Sequence, residues 1–210
     1  METDSLTIWA RVQAHPSRNG LLPALLEKLE PLPVEVLLHS SEPPDPWAGY
    51  KRCLQDIPEC SHLLIIQDDA LPCVHFPVAL EQVAERHPRV PVCLYLGGAP
   101  ASTAAQARRA MLKGRRYTPL LNSSFVPLVA VLWPKACAEA FLKWGRSART
   151  TRADDGNAAR WMKRAKQPFM VTVPSLVQHD ATTPSVKGSR NAGSWCSAVF
   201  AAEDGLAYEW

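Results

Sequence analysis

What the chain lacks narrows its class first. No apolar run approaches the roughly 20 residues that a membrane-spanning helix needs, although 47% of the 210 residues are hydrophobic. Glycine is scarce, at 10 residues. Neither G-x-x-x-x-G-K-[ST] nor G-x-G-x-x-G occurs, which removes the P-loop and the Rossmann fingerprint. G-x-S-x-G and H-E-x-x-H are missing too, so a nucleophile-elbow hydrolase and a zincin are unsupported. The six cysteines, at 53, 60, 73, 93, 137 and 196, form no C-x-x-C pair, which argues against a zinc ribbon or a thioredoxin-like motif. The start, Met1-Glu2-Thr3-Asp4, is acidic and lacks the basic flank and apolar core of a secretory signal. The expected location is therefore cytoplasmic, with its thiols reduced.

What is present suits one globular domain with a sizeable core. The net charge is only +3, but it is unevenly spread. Residues 1–100 carry a balance of −6 and residues 101–170 a balance of +11. A basic segment of that size fits a polyanionic partner such as nucleic acid. A solvated helical face, or arginines that grip a nucleotide diphosphate, would leave the same mark.

Apolar runs alternate with helical spacing through the first hundred residues. Strands are expected at 6–12, 34–39, 63–66 and 92–98, and helices at 21–29, 47–54, 76–86 and 103–112. Beyond them the pattern predicts a strand at 125–133, a helix at 134–144, a helix opened by Asp154 or Asp155, and a strand at 169–173. Pro127 argues that the 125–133 strand is an edge or bulged strand. This alternation predicts an α/β domain with a mostly parallel central sheet flanked by helices. Ligands of such sheets bind outside the carboxyl ends of the strands. From Ala181 onward the chain is rich in Ser, Thr and Gly and is expected to be partly mobile.

Leu63-Leu64-Ile65-Ile66-Gln67-Asp68-Asp69 is the most informative segment. A buried strand that runs straight into two carboxylates needs a cation there, or else the carboxylates cap a solvated turn. A divalent metal is one such cation, since it prefers carboxylate oxygens and brings phosphates with it. Ala153-Asp154-Asp155 precedes a helix, where acids also favour the dipole. Leu176-Val177-Gln178-His179 carries a strand into a polar turn that holds a histidine.

In this order the three motifs resemble the GT-A family of nucleotide-sugar glycosyltransferases, particularly small one-domain bacterial and bacteriophage-type enzymes. The resemblance covers residues 1–188, with 1–100 as the donor and metal half, 101–188 as the acceptor half and 189–210 as a C-terminal tail. It implies a D-x-D-type motif at 67–69, with Gln67 standing where an acid is usual. It further implies Mn²⁺ or Mg²⁺ held by Asp69 and His179, and a nucleotide-sugar donor, most simply a UDP-sugar. The donor would be contacted by Ala14, His15, Arg18, Gln67 and Asp68. A carboxylate at Asp155 or Asp154 would accept the acceptor's proton if transfer is inverting. With the basic segment it points to DNA carrying a hydroxymethylated pyrimidine as acceptor, bound by Arg115 and Arg116. Trp161, Trp144 or Tyr117 would then stack on a flipped base. Other readings of the same residues are a transferase for lipooligosaccharide or capsule precursors, a non-catalytic nucleic-acid-binding module, and a metal-dependent nucleotidyltransferase.

Overall fold

The computed structural model describes residues 5–97, 101–120 and 126–180, together with positions 182, 183, 196, 197, 199–201, 205 and 210. Nine strands and six α-helices are assigned among them. The strands are β1 (Ile8–Ala14), β2 (Val34–Leu38), β3 (His62–Gln67), β4 (Ala70–Pro72), β5 (Val92–Cys93), β6 (Tyr117–Leu120), β7 (Ala130–Pro134), β8 (Phe169–Thr172) and β9 (Val177–His179). The helices are α1 (Leu22–Leu29), α2 (Pro46–Cys53), α3 (Phe76–Arg86), α4 (Ala101–Leu112), α5 (Lys135–Ser147) and α6 (Asp154–Ala165).

Seven strands form one sheet in the order β2-β1-β3-β7-β5-β8-β6, and β4 and β9 make a separate two-stranded ribbon. Strands β1, β2 and β3 run parallel, as do β5 and β8, while β7 and β6 run antiparallel to their neighbours. The architecture is therefore α/β with a mixed sheet, in which the two reversed strands lie in the second half of the chain.

The sheet sits between two apolar layers because its inner strands alternate large side chains to both faces. From β3, Leu64 and Ile66 pack with Leu25 and Leu29 of α1 and Phe76, Leu80 and Val83 of α3. Leu63 and Ile65 point the other way, into Trp47, Tyr50, Trp133, Phe141 and Trp161. All four β3 side chains are fully buried. At about 1.5–3 kcal/mol each, they contribute on the order of a domain's whole net stability of about 5–15 kcal/mol. The end of β3 is thus a fixed point.

Two expectations are corrected here. The 125–133 strand is not an edge: β7 begins at Ala130, beyond Pro127, and lies between β3 and β5. Residues 121–125 fall outside the described residues. The strand expected at 92–98 is paired only at Val92–Cys93, although Leu94 N–H still donates to Ala130 O (2.9 Å). Some of the described tail positions pack on the domain. Ser175 N–H donates to Val199 O, Ala201 N–H donates to Ser175 O, and Trp210 is buried in the α1–α3 layer. The rest of the tail lies outside the described residues.

Buried Arg11 was not singled out in the sequence. It faces the Trp47 side of β1, and its guanidinium donates to Cys53 O (3.1 Å), Gln55 O and Asp56 O (2.9 Å), with Nε on Glu35 (2.8 Å). A cation set against the last carbonyls of α2 satisfies orphan acceptors and complements the helix dipole.

Candidate functional site

Asp68 and Asp69 form the turn between β3 and β4, and backbone bonds pin them on three sides. Gln67 N–H donates to Val129 O (2.8 Å), Asp68 N–H to Gln13 O (3.1 Å) and Asp180 N–H to Asp69 O (2.8 Å). The ribbon supplies the last of these. Ala70 pairs with His179 in the β4–β9 register, which brings His179 Nε2 to 3.2 Å from Asp69 Oδ2. The sheet thus joins an acid from the first half of the chain to a histidine from the last quarter.

Arg18 closes the cluster. It lies on a short 3-10 turn, Pro16–Leu21, that follows β1. Its Nη1 donates to Asp68 Oδ1 (2.9 Å) and to Asp69 Oδ2. Asp68 Oδ2 accepts from the His15 backbone N–H (2.7 Å), and the His15 ring nitrogen accepts from Ser17 N–H (3.3 Å). The loop from Ala14 to Arg18 therefore engages the acidic pair directly. That link spans fifty residues of sequence and left no local signal.

The electrostatics follow from this packing. Both aspartates are about 4% exposed, so water screens them poorly. Burial alone would raise the Asp69 carboxyl, but His179 and Arg18 together hold it below its ordinary value. Asp68 goes the other way: burial outweighs His15 N–H and Arg18 and raises it. The hydrogen bond that His179 donates to Asp69 raises its imidazole, against its own burial. The buried polar atoms without a hydrogen-bond partner among the described residues include Asp69 Oδ1, His179 Nδ1 and the Tyr95 hydroxyl. The Tyr95 ring lies 6.4 Å from that of His179, and burial, ahead of the nearby charges, raises its phenol. Tyr95 was missed in the sequence; its only signal is its place just past the carboxyl end of β5.

Among the described residues, no three His, Cys, Asp or Glu side chains group as a ready metal site. Asp69 and His179 do fit a cation that keeps few protein ligands and completes its shell with phosphate and water. The orphaned Asp69 Oδ1 offers such a cation a lone pair. Gln67 is half-buried at the strand end.

The second acidic pair opens α6. Asp154 and Asp155 are its first residues rather than caps; the preceding Ala153 offers no side-chain bond. Asp154, 5% exposed, accepts from Asp155 N–H (2.9 Å), and Asp155 accepts from Gly156 N–H (2.6 Å). A short relay ties this helix start to the first pair. Asp68 is bonded to Gln13, Gln13 Nε2 donates to Pro46 O (3.0 Å), and Trp47 N–H donates to Arg152 O (3.2 Å).

The three expected acceptor residues lie apart from the Asp68–Asp69 cluster. Trp161 is buried among Trp133, Phe141 and Phe169, so it has no face for a base and belongs to the core. Arg115 and Arg116 follow the end of α4, where Gly114 adopts φ +67°, the left-handed conformation that ends helices. They sit at the start of β6, since Val173 N–H donates to Arg116 O. Four interstrand steps from β3, at about 4.8 Å each, put them roughly 19 Å from the Asp pair. They share its edge of the sheet without joining its cluster.

No protein-family model and no curated protein matches this chain. Among solved structures, the crystal structure of A197 from STIV is similar in fold, with a TM-score of 0.50 and 12% identity. The match covers 83% of this chain and 84% of A197. At that identity the likeness concerns the α/β architecture alone. No helix among the described residues is long and apolar enough to cross a membrane.

Proposed function

We propose that the protein is a nucleotide-sugar glycosyltransferase. One observation carries the reading: Asp69, His179 and Arg18 meet, largely buried, outside the carboxyl end of a central strand. A carboxylate–histidine pair with a neighbouring guanidinium suits a donor whose departure leaves charge on a diphosphate. Asp69 and His179 would hold Mn²⁺ or Mg²⁺, which supplies Lewis-acid stabilisation of that leaving charge when bound. Arg18 adds a fixed positive charge beside it, and the His15–Arg18 turn lines the donor side. Asp155, half-buried at the start of α6, is open to an acceptor hydroxyl and would take its proton. Asp154 is more deeply buried and orients the helix start through its bond to Asp155 N–H.

DNA is the acceptor that the charge favours. Arg108, Arg109, Lys113, Arg146 and Lys163 are exposed, and none takes part in an ion pair among the described residues. Unpaired basic side chains on the acceptor half suit a phosphate backbone. The donor reading is tested by thermal shift against nucleotide sugars with Mn²⁺, since a ligand of the folded state raises Tm. Stabilisation and turnover by a UDP-sugar, both lost in Asp69→Asn, support it. Turnover of a nucleoside triphosphate instead would establish a nucleotidyltransferase, and no response to any nucleotide would leave only a binding module.

A further inference from the structure

We propose that Arg18 is a built-in competitor of the divalent cation: it holds the two aspartates until a cation displaces it, and then turns its charge to the donor's diphosphate. The inference rests on the reading of Asp69 and His179 as the cation's protein ligands.

The geometry makes the competition specific. Asp69 Oδ2 receives both Arg18 Nη1 and His179 Nε2. A cation entering between Asp69 and His179 therefore meets a guanidinium already bound to the same carboxylate. The same Nη1 spans to Asp68 Oδ1 (2.9 Å), so a single nitrogen bridges the pair. The Arg18 side chain is 10% exposed and the carboxylates 4–5%. Two like charges cannot share so dry a site cheaply.

The scaffold lets Arg18 leave. Pro16, Ser17, Asn19 and Gly20 of the turn are exposed, so the Arg18 side chain is its inward anchor, and Arg18 itself departs from helical geometry there, at φ −114° and ψ 15°. Moving this turn leaves the buried strands in place. The released guanidinium remains within the donor loop, where an anionic diphosphate replaces the carboxylates as its partner. Cation and donor then favour each other's binding through Arg18 as well as through direct ligation.

The test is calorimetric titration of the full chain with Mn²⁺ alone and, separately, with UDP alone, for wild type and Arg18→Met. Asp69→Asn serves as the site control. Removing the competing charge should tighten Mn²⁺ at least about tenfold, since like-charge juxtaposition is worth more than one decade, while UDP binds more weakly. Equal or weaker Mn²⁺ binding by the folded variant, with wild-type binding intact and abolished in Asp69→Asn, overturns the role of Arg18 and leaves the cation reading standing. Failure of both proteins to bind Mn²⁺ overturns the cation reading and this inference with it. Should Arg18→Met be too unstable to isolate, Arg18→Gln is compared with wild type by melting with and without Mn²⁺. A larger Mn²⁺-induced rise in Tm than wild type shows supports the competition, and an equal or smaller rise refutes it.

Discussion

Arg11→Met should destabilise the protein through the end of α2. Glu35 is 43% exposed at its side chain, so that ion pair is screened and adds about 0–1 kcal/mol. The carbonyls of Gln55 and Asp56 belong to exposed residues and regain water when the guanidinium is removed. Cys53 is fully buried, and its carbonyl loses a charged donor. A hydrogen bond to a charged group is worth about 1.5–3 kcal/mol, and a stranded buried acceptor costs about 1–3 kcal/mol. These two figures describe overlapping losses, so the expected cost is about 2–4 kcal/mol. With a urea slope of about 2 kcal/mol/M, the midpoint should fall by about 1–2 M with the slope unchanged. Arg11→Lys should recover only part of this, because one ammonium cannot reach carbonyls spread like a fork. A neutral or stabilising Arg11→Met would refute the reasoning. It would mean that the cost of drying the guanidinium equals everything its bonds return, as happens for some buried ion pairs.

The His179 imidazole, followed by NMR, should titrate above its ordinary 6.5 in wild type and fall in Asp69→Asn, because burial and Arg18 remain to lower it when the carboxylate is gone and only Asp180 still raises it. The His179 contribution to stability is complete below pH 6.5 and fades as pH rises through its raised value; that of Asp69 is complete above 3.8 and fades as pH falls through its lowered one. The wild-type advantage in urea melts should therefore peak between those limits, and a flat profile would count against the pair. Gly145→Ala would put a Cβ 2.5 Å from Trp47 Cζ2; overpacking of about 1–3 kcal/mol should lower Tm by about 2–4 °C per kcal/mol, and an unchanged melt would mean that Trp47 moves freely. Arg115→Ala with Arg116→Ala should weaken DNA binding and reduce its salt slope by about 2 while leaving UDP binding unchanged. Salt-independent binding would argue against a phosphate contact.

Long, strongly patterned elements were legible before the structure. The helix expected at 76–86 has those bounds as α3, and the buried run at 63–66 is the middle of β3. Short pieces were not. β4 and β9 have three residues each, too few for any periodicity, and β6 contains Pro119, which suits its place at the sheet edge but hides it as a strand. Pro127 misled because it lies just ahead of β7 rather than inside it. The acidic pairs and His179 stood out by residue type. Their partners did not, because Arg18 and Asp69 meet only through the crossover of the sheet. Arg11 left a usable sign: an arginine between Ala10 and Val12, both fully buried, must have partners of its own.

The β4–β9 ribbon holds the site through pairs that lie outside the seven-stranded ladder. Three residue pairs, Ala70–His179, Leu71–Gln178 and Pro72–Val177, hold His179 against Asp69, and Leu71 is half exposed. Opening those pairs would draw His179 away while every strand of the seven-stranded sheet stayed paired. Heat, denaturant or a ribbon mutation can thus silence the site well before the circular dichroism of the fold changes. Exchange at Asp180 N–H, which is bonded to Asp69 O, times that local opening, whereas a global melt reports only the scaffold.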